Sequence, residues 1–95
     1  MTFVRLSLMK PSPGNEDEVE RINRDLVAHY LGMKGCLAGY LLKEAGGGAE
    51  ICRLTLWESE ADAGRAANDH HTLSSRSTLH RLIQPGDVGR SFVVI

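Results

Sequence analysis

The chain has 95 residues, which is enough for one domain and not for two. Its composition, with 42% hydrophobic and 24% charged residues, excludes a disordered or collagen-like chain. The formal net charge of -1 provides no basic surface, so we expect neither a nucleic acid nor a membrane as partner. Since there is no long apolar run or signal-peptide pattern, we expect a cytoplasmic protein.

The first third of the chain predicts a strand followed by a helix. Apolar residues alternate with other residues from Phe3 to Met9, which is the period of a β-strand. The segment Lys10 to Gly14 contains two prolines and a glycine and should end this strand. From about Glu16 to Leu31 apolar residues recur every three or four positions, which predicts an amphipathic helix. Asn15 and Glu18 have the spacing of a capping box.

The middle of the chain predicts a β-hairpin. Its strands are Cys36 to Glu44 and Glu50 to Glu58, and the glycines from Gly46 to Gly48 suit the turn between them. Ser59 follows the second of these strands and can cap a helix, with Asp62 at the reciprocal position.

The last third predicts a helical region and a final strand. The helical region begins with small residues, mostly alanine, and Asn68-Asp69 predicts a kink or a break within it. Gln84-Pro85-Gly86 should end the helical region, and Val88 to Ile95 has the composition of a strand.

This order of elements, β-α-β-β-α-β, predicts a single α+β domain over residues 1–95 with a ferredoxin-like fold. We expect a four-stranded antiparallel sheet in the order 4-1-3-2 with both helical regions on one face. The residues expected to face the helices are Val4, Leu6, Leu8, Cys52, Leu54 and Leu56. The residues expected on the opposite face are Phe3, Met9, Ile51, Trp57, Val93 and Ile95, together with Arg5 and Arg53. Such an apolar face predicts a homodimer formed sheet to sheet.

Metal binding is not expected from the spacing of the cysteines and histidines. Cys36 and Cys52 form no Cys-x-x-Cys motif, and the four histidines form no His-x-x-x-His motif. In a reducing compartment the two cysteines are expected to be buried thiols.

Several segments together resemble one protein family. They are Val-Arg-Leu-Ser-Leu in the first strand, Pro-Gly-x-Glu-x-Glu before the first helix, Lys-Gly-Cys-Leu-Ala-Gly-Tyr-Leu-Leu in the second strand, and Leu-Thr-Leu-Trp-Glu-Ser in the third. A histidine follows thirteen or fourteen residues after this tryptophan. Nearly the whole chain thus resembles the antibiotic biosynthesis monooxygenase-like (ABM) group of the dimeric α+β barrel superfamily, which includes cofactor-independent oxygenases of aromatic substrates.

The resemblance also tests for haem binding. The haem-degrading branch of the superfamily would place an asparagine at Val4, a tryptophan at about Ala66 and a haem-ligating histidine at about Arg76. None of these residue types is present at those positions. We therefore expect no haem, and no other cofactor.

The resemblance implies a catalytic base in a cleft between the second helical region and the sheet. The histidine concerned is His71 or, failing that, His70; adjacent helical residues point about 100° apart, so only one of them should face the sheet. A neutral imidazole there can accept a proton from a phenol or quinol. Solvent exposure or helix capping is the structural alternative for both histidines.

Further residues are candidates for ligand binding in this cleft. The small side chains of the second helical region could leave an apolar space beside Val4 and Leu6. Trp57 could stack on an aromatic ligand or serve as a packing anchor, Asn68 could line the cleft, and Tyr40 could donate a hydrogen bond.

Two functions remain open. The first is a cofactor-independent monooxygenase or oxidase of a small aromatic or quinol-like substrate. The second is a non-catalytic dimeric module of the stress-responsive α/β-barrel type, which binds a small apolar ligand or another protein. A cavity on the order of several hundred Å³ reached by an imidazole would favour the first, and a closed, alanine-packed interface the second.

Overall fold

Four strands and three helices make up the protein in a computed structural model that describes residues 1–95. In chain order they are β1 (Phe3–Met9), α1 (Glu16–Leu31), β2 (Cys36–Lys43), β3 (Ile51–Trp57), α2 (Glu60–Ala67), α3 (His70–His80) and β4 (Val88–Val93). These bounds confirm the predicted elements, including the break at Asn68-Asp69. None of the helices combines the length and the apolar character needed to cross a membrane.

Side-chain caps define where α2 and α3 begin. The Ser59 hydroxyl accepts a hydrogen bond from the Asp62 backbone N–H at 3.1 Å, as the sequence predicted. The Asp69 carboxylate accepts one from the Thr72 backbone N–H at 2.8 Å and begins a second helix. The predicted cap of α1 is wrong, because Asn15 makes no side-chain capping bond and Glu18 instead pairs with Arg21.

The strands form one antiparallel sheet in the order β2-β3-β1-β4. Read from the other edge this is the predicted order 4-1-3-2, so the ferredoxin-like fold is confirmed. Within the sheet Arg5 lies opposite Thr55, and Ser7 lies opposite Arg53, on the two central strands β1 and β3. This register brings two arginines close together on one face.

The two faces of the sheet are the reverse of those expected from the sequence. Along β3 the buried residues are Ile51, Arg53, Thr55 and Trp57, and the residues between them are only half-buried. This buried set, with Phe3 and Met9 of β1, packs beneath the helices. The face that we expected under the helices, with Val4, Leu6, Leu8, Cys52, Leu54 and Leu56, is the face without helices. The error arose because both sets are apolar and we placed the arginines on the open side.

One helix contact shows which face is covered. The Arg53 guanidinium on β3 donates a hydrogen bond to the Asn23 side chain of α1 at 2.6 Å, and both residues are buried. Asn23 in turn donates to the Val19 backbone carbonyl at 2.8 Å. Since polar groups away from water need partners, this network fixes α1 over β3.

The open face of the sheet is strongly apolar. Tyr40, Leu42, Val88 and Phe92 are between 42% and 52% exposed there. Between them lie the half-buried side chains of the central strands. The one charged side chain that strand alternation places on this face of β4 is Arg90, whose guanidinium carbon lies 5.0 Å from the Phe92 ring centroid.

Gly35 lies where the turn after α1 approaches α2. Its φ of +85° is left-handed, and a Cβ there would overlap the buried Asp62 carboxylate, which Ser59 and Arg65 hold in place. We expect Gly35→Ala to destabilise the protein by about 1–3 kcal/mol more than Gly46→Ala. Gly46 is the matched control, since its φ is +88° and a Cβ there meets nothing within 4 Å.

Denaturant unfolding of both variants measures this difference. Equal losses of stability in the two variants would contradict this prediction. They would show that the positive φ alone destabilises Gly35→Ala and that the structure around Asp62 can make room for a Cβ.

Candidate functional site

A cleft of about 810 Å³ lies between α2, α3 and the helix-covered face of the sheet. One wall is apolar and consists of Tyr30 together with the small side chains Ala63, Ala66 and Ala67 of α2. Because alanine occupies little volume, α2 leaves space above the sheet instead of filling it. The alanine-rich helix predicted from the sequence therefore borders a cavity and not a closed interface.

Trp57 forms the inner end of the apolar wall. It is only 1% exposed, and its ring meets Tyr30 edge-on at a centroid distance of 5.8 Å. The indole N–H donates a hydrogen bond to the Thr55 hydroxyl at 2.9 Å. Trp57 thus lies at the edge of the cleft and has the properties of a packing anchor.

The floor of the cleft carries two arginines. Arg53 is 9% exposed; its guanidinium donates to Asn23 and, at 3.5 Å, to the Ser7 hydroxyl. Burial lowers the pKa of Arg53 from its usual value, Tyr30 opposes this shift, and the positive charge of Arg76 adds to it. Arg5 also lines the floor, and its Nε is buried without a hydrogen-bond partner. Sequence reasoning missed both as site residues.

The wall from α3 is polar and adds further positive charge. Arg76, His80 and Arg81 line the cleft from this helix and its C-terminal end, while Asp87 from the loop before β4 is the only acidic residue in the lining. The other side of α3 contributes Thr72, whose hydroxyl is buried without a hydrogen-bond partner. The arrangement can bind an aromatic ring and stabilise negative charge on it.

His71 does not line the cleft, and its predicted position there is wrong. Its Nε2 lies 2.8 Å from an Asp25 carboxylate oxygen of α1, and its ring stacks on His29 at 4.1 Å. The break at Asn68-Asp69 sets the rotation of α3, so this face of the helix turns to α1. The imidazole that lines the cleft is His80, at the C-terminal end of the same helix.

Two other predicted residues also lie outside the cleft. His70 is exposed at the first turn of α3. The Asn68 side chain donates to the Gly64 backbone carbonyl at 2.9 Å and so ends α2. Short polar side chains commonly satisfy helix termini in this way, so Asn68 has a structural role.

The predicted ligand residues on the strands occupy the other face of the sheet. Val4 and Tyr40 do not line the cleft, and Tyr40 is 52% exposed on the open face. Leu6 contributes to the floor, but strand alternation turns its side chain away from the helices. Val4 and Leu6 were assigned to the cleft because the faces were assigned wrongly, whereas Tyr40 was named only as a hydrogen-bond donor.

Next to α1, Asp69 links the cap of α3 to a histidine. Its carboxylate lies 2.7 Å from Nε2 of His29. Partial burial raises the pKa of Asp69, but the hydrogen bonds from the Thr72 backbone and from His29 outweigh it and lower the pKa to about 2. This pair stabilises the junction of α1 and α3 and is separate from the cleft.

The cysteines and the candidate metal ligands show no reactive arrangement. Burial raises the pKa of the Cys36 thiol and of the Cys52 thiol, which keeps both protonated at neutral pH. No three side chains of the His, Cys, Asp and Glu types are grouped so as to hold a metal ion.

One sequence signal could have identified the arginines of the floor. The segments Arg5-Leu-Ser-Leu-Met9 and Arg53-Leu-Thr-Leu-Trp57 repeat one pattern on the two central strands. In each segment the arginine lies four positions before a large buried residue, Met9 or Trp57. Since residues an even number of positions apart on a strand point to the same face, the arginine and the core residue lie on the same side of the sheet.

Comparison with known proteins agrees with the fold. The structure of Rv0793 from Mycobacterium tuberculosis superposes with a TM-score of 0.92 at 14% identity, over 100% of this chain and 96% of that one. PA3566 from Pseudomonas aeruginosa gives a TM-score of 0.87 at 21% identity, with 99% and 94% covered. A mutant of SnoaB, described as a cofactor-independent oxygenase from Streptomyces nogalater, gives 0.86 at 16% identity, with 98% and 92% covered.

Sequence comparison identifies the family. No curated protein matches the sequence significantly. The family model described as antibiotic biosynthesis monooxygenase matches residues 2–74, which is most of the chain and includes β1 to α2 and the first part of α3. The chain therefore belongs to the antibiotic biosynthesis monooxygenase family.

Proposed function

We propose that the protein is a cofactor-independent monooxygenase or oxidase that acts on a small aromatic or quinol-like substrate in the cleft. The observation that carries this proposal is the cleft of about 810 Å³. One of its walls consists of aromatic and alanine side chains, and its floor carries positively charged arginines. The structure of SnoaB, which is described as a cofactor-independent oxygenase, has a similar fold and supports the proposal.

The chemistry begins with a proton transfer that makes the ring electron-rich. The cations of the floor favour the phenolate over the phenol, since an opposite charge lowers the pKa of an acid. As an oxidase, the protein would pass two electrons and two protons from a quinol to dioxygen, which gives a quinone and hydrogen peroxide. As a monooxygenase, it would convert a phenol and dioxygen into a quinone and water.

The proton acceptor that we propose is His80 and no longer His71. His80 is the one histidine that lines the cleft, and a neutral imidazole can accept a proton from a phenol. Ala67 and Leu73, the more exposed apolar residues of the lining, would contact the ring.

Oxygen uptake in the presence of a panel of phenols and quinols tests the proposal. We expect at least one compound to be consumed faster with protein than without it. Product analysis should show one hydrogen peroxide per quinone for the oxidase reaction, and quinone without peroxide for the monooxygenase reaction. Ala67→Phe should lower this rate by about 100-fold, because the larger ring displaces the substrate from its position in the cleft.

The matched control is Ala61→Phe, the same substitution on an exposed position of α2 outside the cleft lining. It should retain the wild-type rate. Equal rates in both variants would contradict a reaction in this cleft.

A non-catalytic module is the second candidate, favoured by the displacement of His70 and His71 from the cleft. It predicts that compounds of the panel bind and raise the melting temperature without oxygen uptake. The same experiment therefore distinguishes the two functions.

We also infer that the protein is a homodimer whose two sheets pack through their open faces. The exposed side chains of Tyr40, Leu42 and Phe92, with the half-buried leucines between them, form one apolar surface on this face. A surface of this kind is typical of an interface, and a second copy of the same sheet is complementary to it in chemistry. The central part of this proposed interface consists of Val4, Leu6 and Leu54 and their neighbours, which were expected from the sequence to lie beneath the helices.

A further inference from the structure

The cleft contains a buried positive charge without a negative partner. Arg53 is 9% exposed and hydrogen-bonds only to the neutral side chains of Asn23 and Ser7. No carboxylate lies within 4.0 Å of its guanidinium. A buried charge that lacks a counter-ion is unfavourable, so such a residue indicates that something else supplies the charge.

Arg5 places a second cation beside the first. It lies opposite Thr55 in the register of β1 and β3, which makes Arg53 its diagonal neighbour, with backbones about 7–8 Å apart. Its Nε is buried and has no hydrogen-bond partner, and it too has no carboxylate within 4.0 Å. The Arg5 guanidinium carbon lies 5.4 Å from the Phe3 ring centroid. At this backbone separation both arginine side chains can reach one anion, which would offset their mutual repulsion.

The rest of the lining does not neutralise this charge. Arg76 and Arg81 add two more cations from the α3 side, and neither is in an ion pair. Asp87, the single acidic residue of the lining, forms no ion pair either and is exposed. The cleft is therefore strongly positive although the whole chain has a net charge of -1.

We propose that the cleft selects an aromatic carboxylate, whose carboxylate group binds between Arg5 and Arg53 while its ring lies on the apolar side of the cleft at Ala67 and Leu73. The proposal names the substrate class for the proposed function. It rests on that function only because both use the same cleft. Binding of the ligand does not require that it be turned over.

The geometry favours a carboxylate on a flat ring over other anions. A guanidinium presents its N–H groups as a planar fork, which matches the two oxygens of a carboxylate. The α2 side of the cleft is apolar, so a planar ring fits beside it, whereas a phosphate group carries a third oxygen that would face apolar side chains without a hydrogen-bond donor.

Anaerobic titration calorimetry with paired compounds tests this selection. Gentisate and hydroquinone differ only by the carboxylate, and salicylate and phenol form a second pair. We expect each carboxylate to bind about 100-fold more tightly than its neutral partner, as is usual for a desolvated charge pair.

Arg53→Met should remove this preference and leave the affinity for hydroquinone within about 3-fold of wild type, because methionine retains the apolar stem of the side chain. The melting temperature of Arg53→Met is expected to fall, because the buried Asn23 side chain loses its hydrogen-bond donor, so the calorimetry is done well below the transition, where an unchanged affinity for hydroquinone shows that the cleft is intact. The matched control is Arg24→Met, which alters an exposed arginine paired with Glu20 on α1. It should retain the full preference.

Three results would overturn the proposal. They are equal binding of the members of both pairs, an unchanged preference in Arg53→Met, and tighter binding of phenyl phosphate than of gentisate. Oxygen uptake is measured separately. Gentisate that binds selectively without being oxidised supports the carboxylate site and contradicts the oxygenase, whereas oxidation of neutral quinols without charge preference supports the oxygenase and contradicts the carboxylate site.

Discussion

Trp57→Ala is expected to lower the free energy of unfolding by about 3–5 kcal/mol. The side chain is 1% exposed, contacts Tyr30 edge-on and donates a hydrogen bond to Thr55, so the truncation removes packing on every side. Because a domain of this kind has a total stability of about 5–15 kcal/mol, the loss is a large fraction of the whole. Denaturant unfolding followed by circular dichroism measures it.

Trp57→Phe is the control for this experiment. It retains an aromatic ring and loses the indole N–H, so we expect a smaller loss of about 1–2 kcal/mol. If Trp57→Ala were as stable as the wild type, Trp57 would be a mobile wall of the cleft and not a packing anchor.

Leu54→Asp is expected to convert the dimer into a monomer. Leu54 lies at the centre of the open face, opposite Leu6 on one side and Tyr40 on the other. A carboxylate there would be desolvated in each copy of the interface, at a cost of several kcal/mol for a buried unpaired charge. Light scattering should give twice the 10.4 kDa chain mass for wild type and the chain mass for the variant.

Leu31→Asp makes the same substitution at the end of α1, where the side chain is 52% exposed on the other side of the molecule. It should remain dimeric. A wild-type protein that is monomeric at micromolar concentration would contradict the interface but not the fold.

The arrangement of elements was predictable from local patterns. The alternation in Phe3–Met9 and the three- and four-residue spacing in Glu16–Leu31 each fix one element, and the glycines and prolines mark the turns. With the elements in order, the handedness of crossovers leaves few ferredoxin-like alternatives. Ser59 was found as a cap because its spacing to Asp62 is a purely local signal.

The faces of the sheet were not predictable in the same way. A period of two separates Arg53 from Leu54 but does not say which of them a helix will cover. In this protein the helices cover the side with the largest side chains, and the cleft gives the arginines of that side a place beside the core. The open side is apolar as well, which is unusual for a monomer and removes the usual contrast between core and solvent.

The position of His71 depended on tertiary structure. His70 and His71 are adjacent in sequence but point in different directions from α3. The rotation of α3 about its axis follows from the Asp69 cap and from the contact between Asp69 and His29. The contact between Asp69 and His29 joins residues 40 positions apart. No local pattern could predict it, so the candidate base moved to His80.

Strand β4 is the most exposed side of the cleft. All six of its residues are exposed, and it is paired only with β1 along one edge. Its amide hydrogens should therefore exchange with solvent faster than those of β3, which lies between two strands. Because residues 87–91 line the cleft, we expect this edge to be its most dynamic part. Pairing of two sheets through their open faces would cover one side of β4 and should slow this exchange.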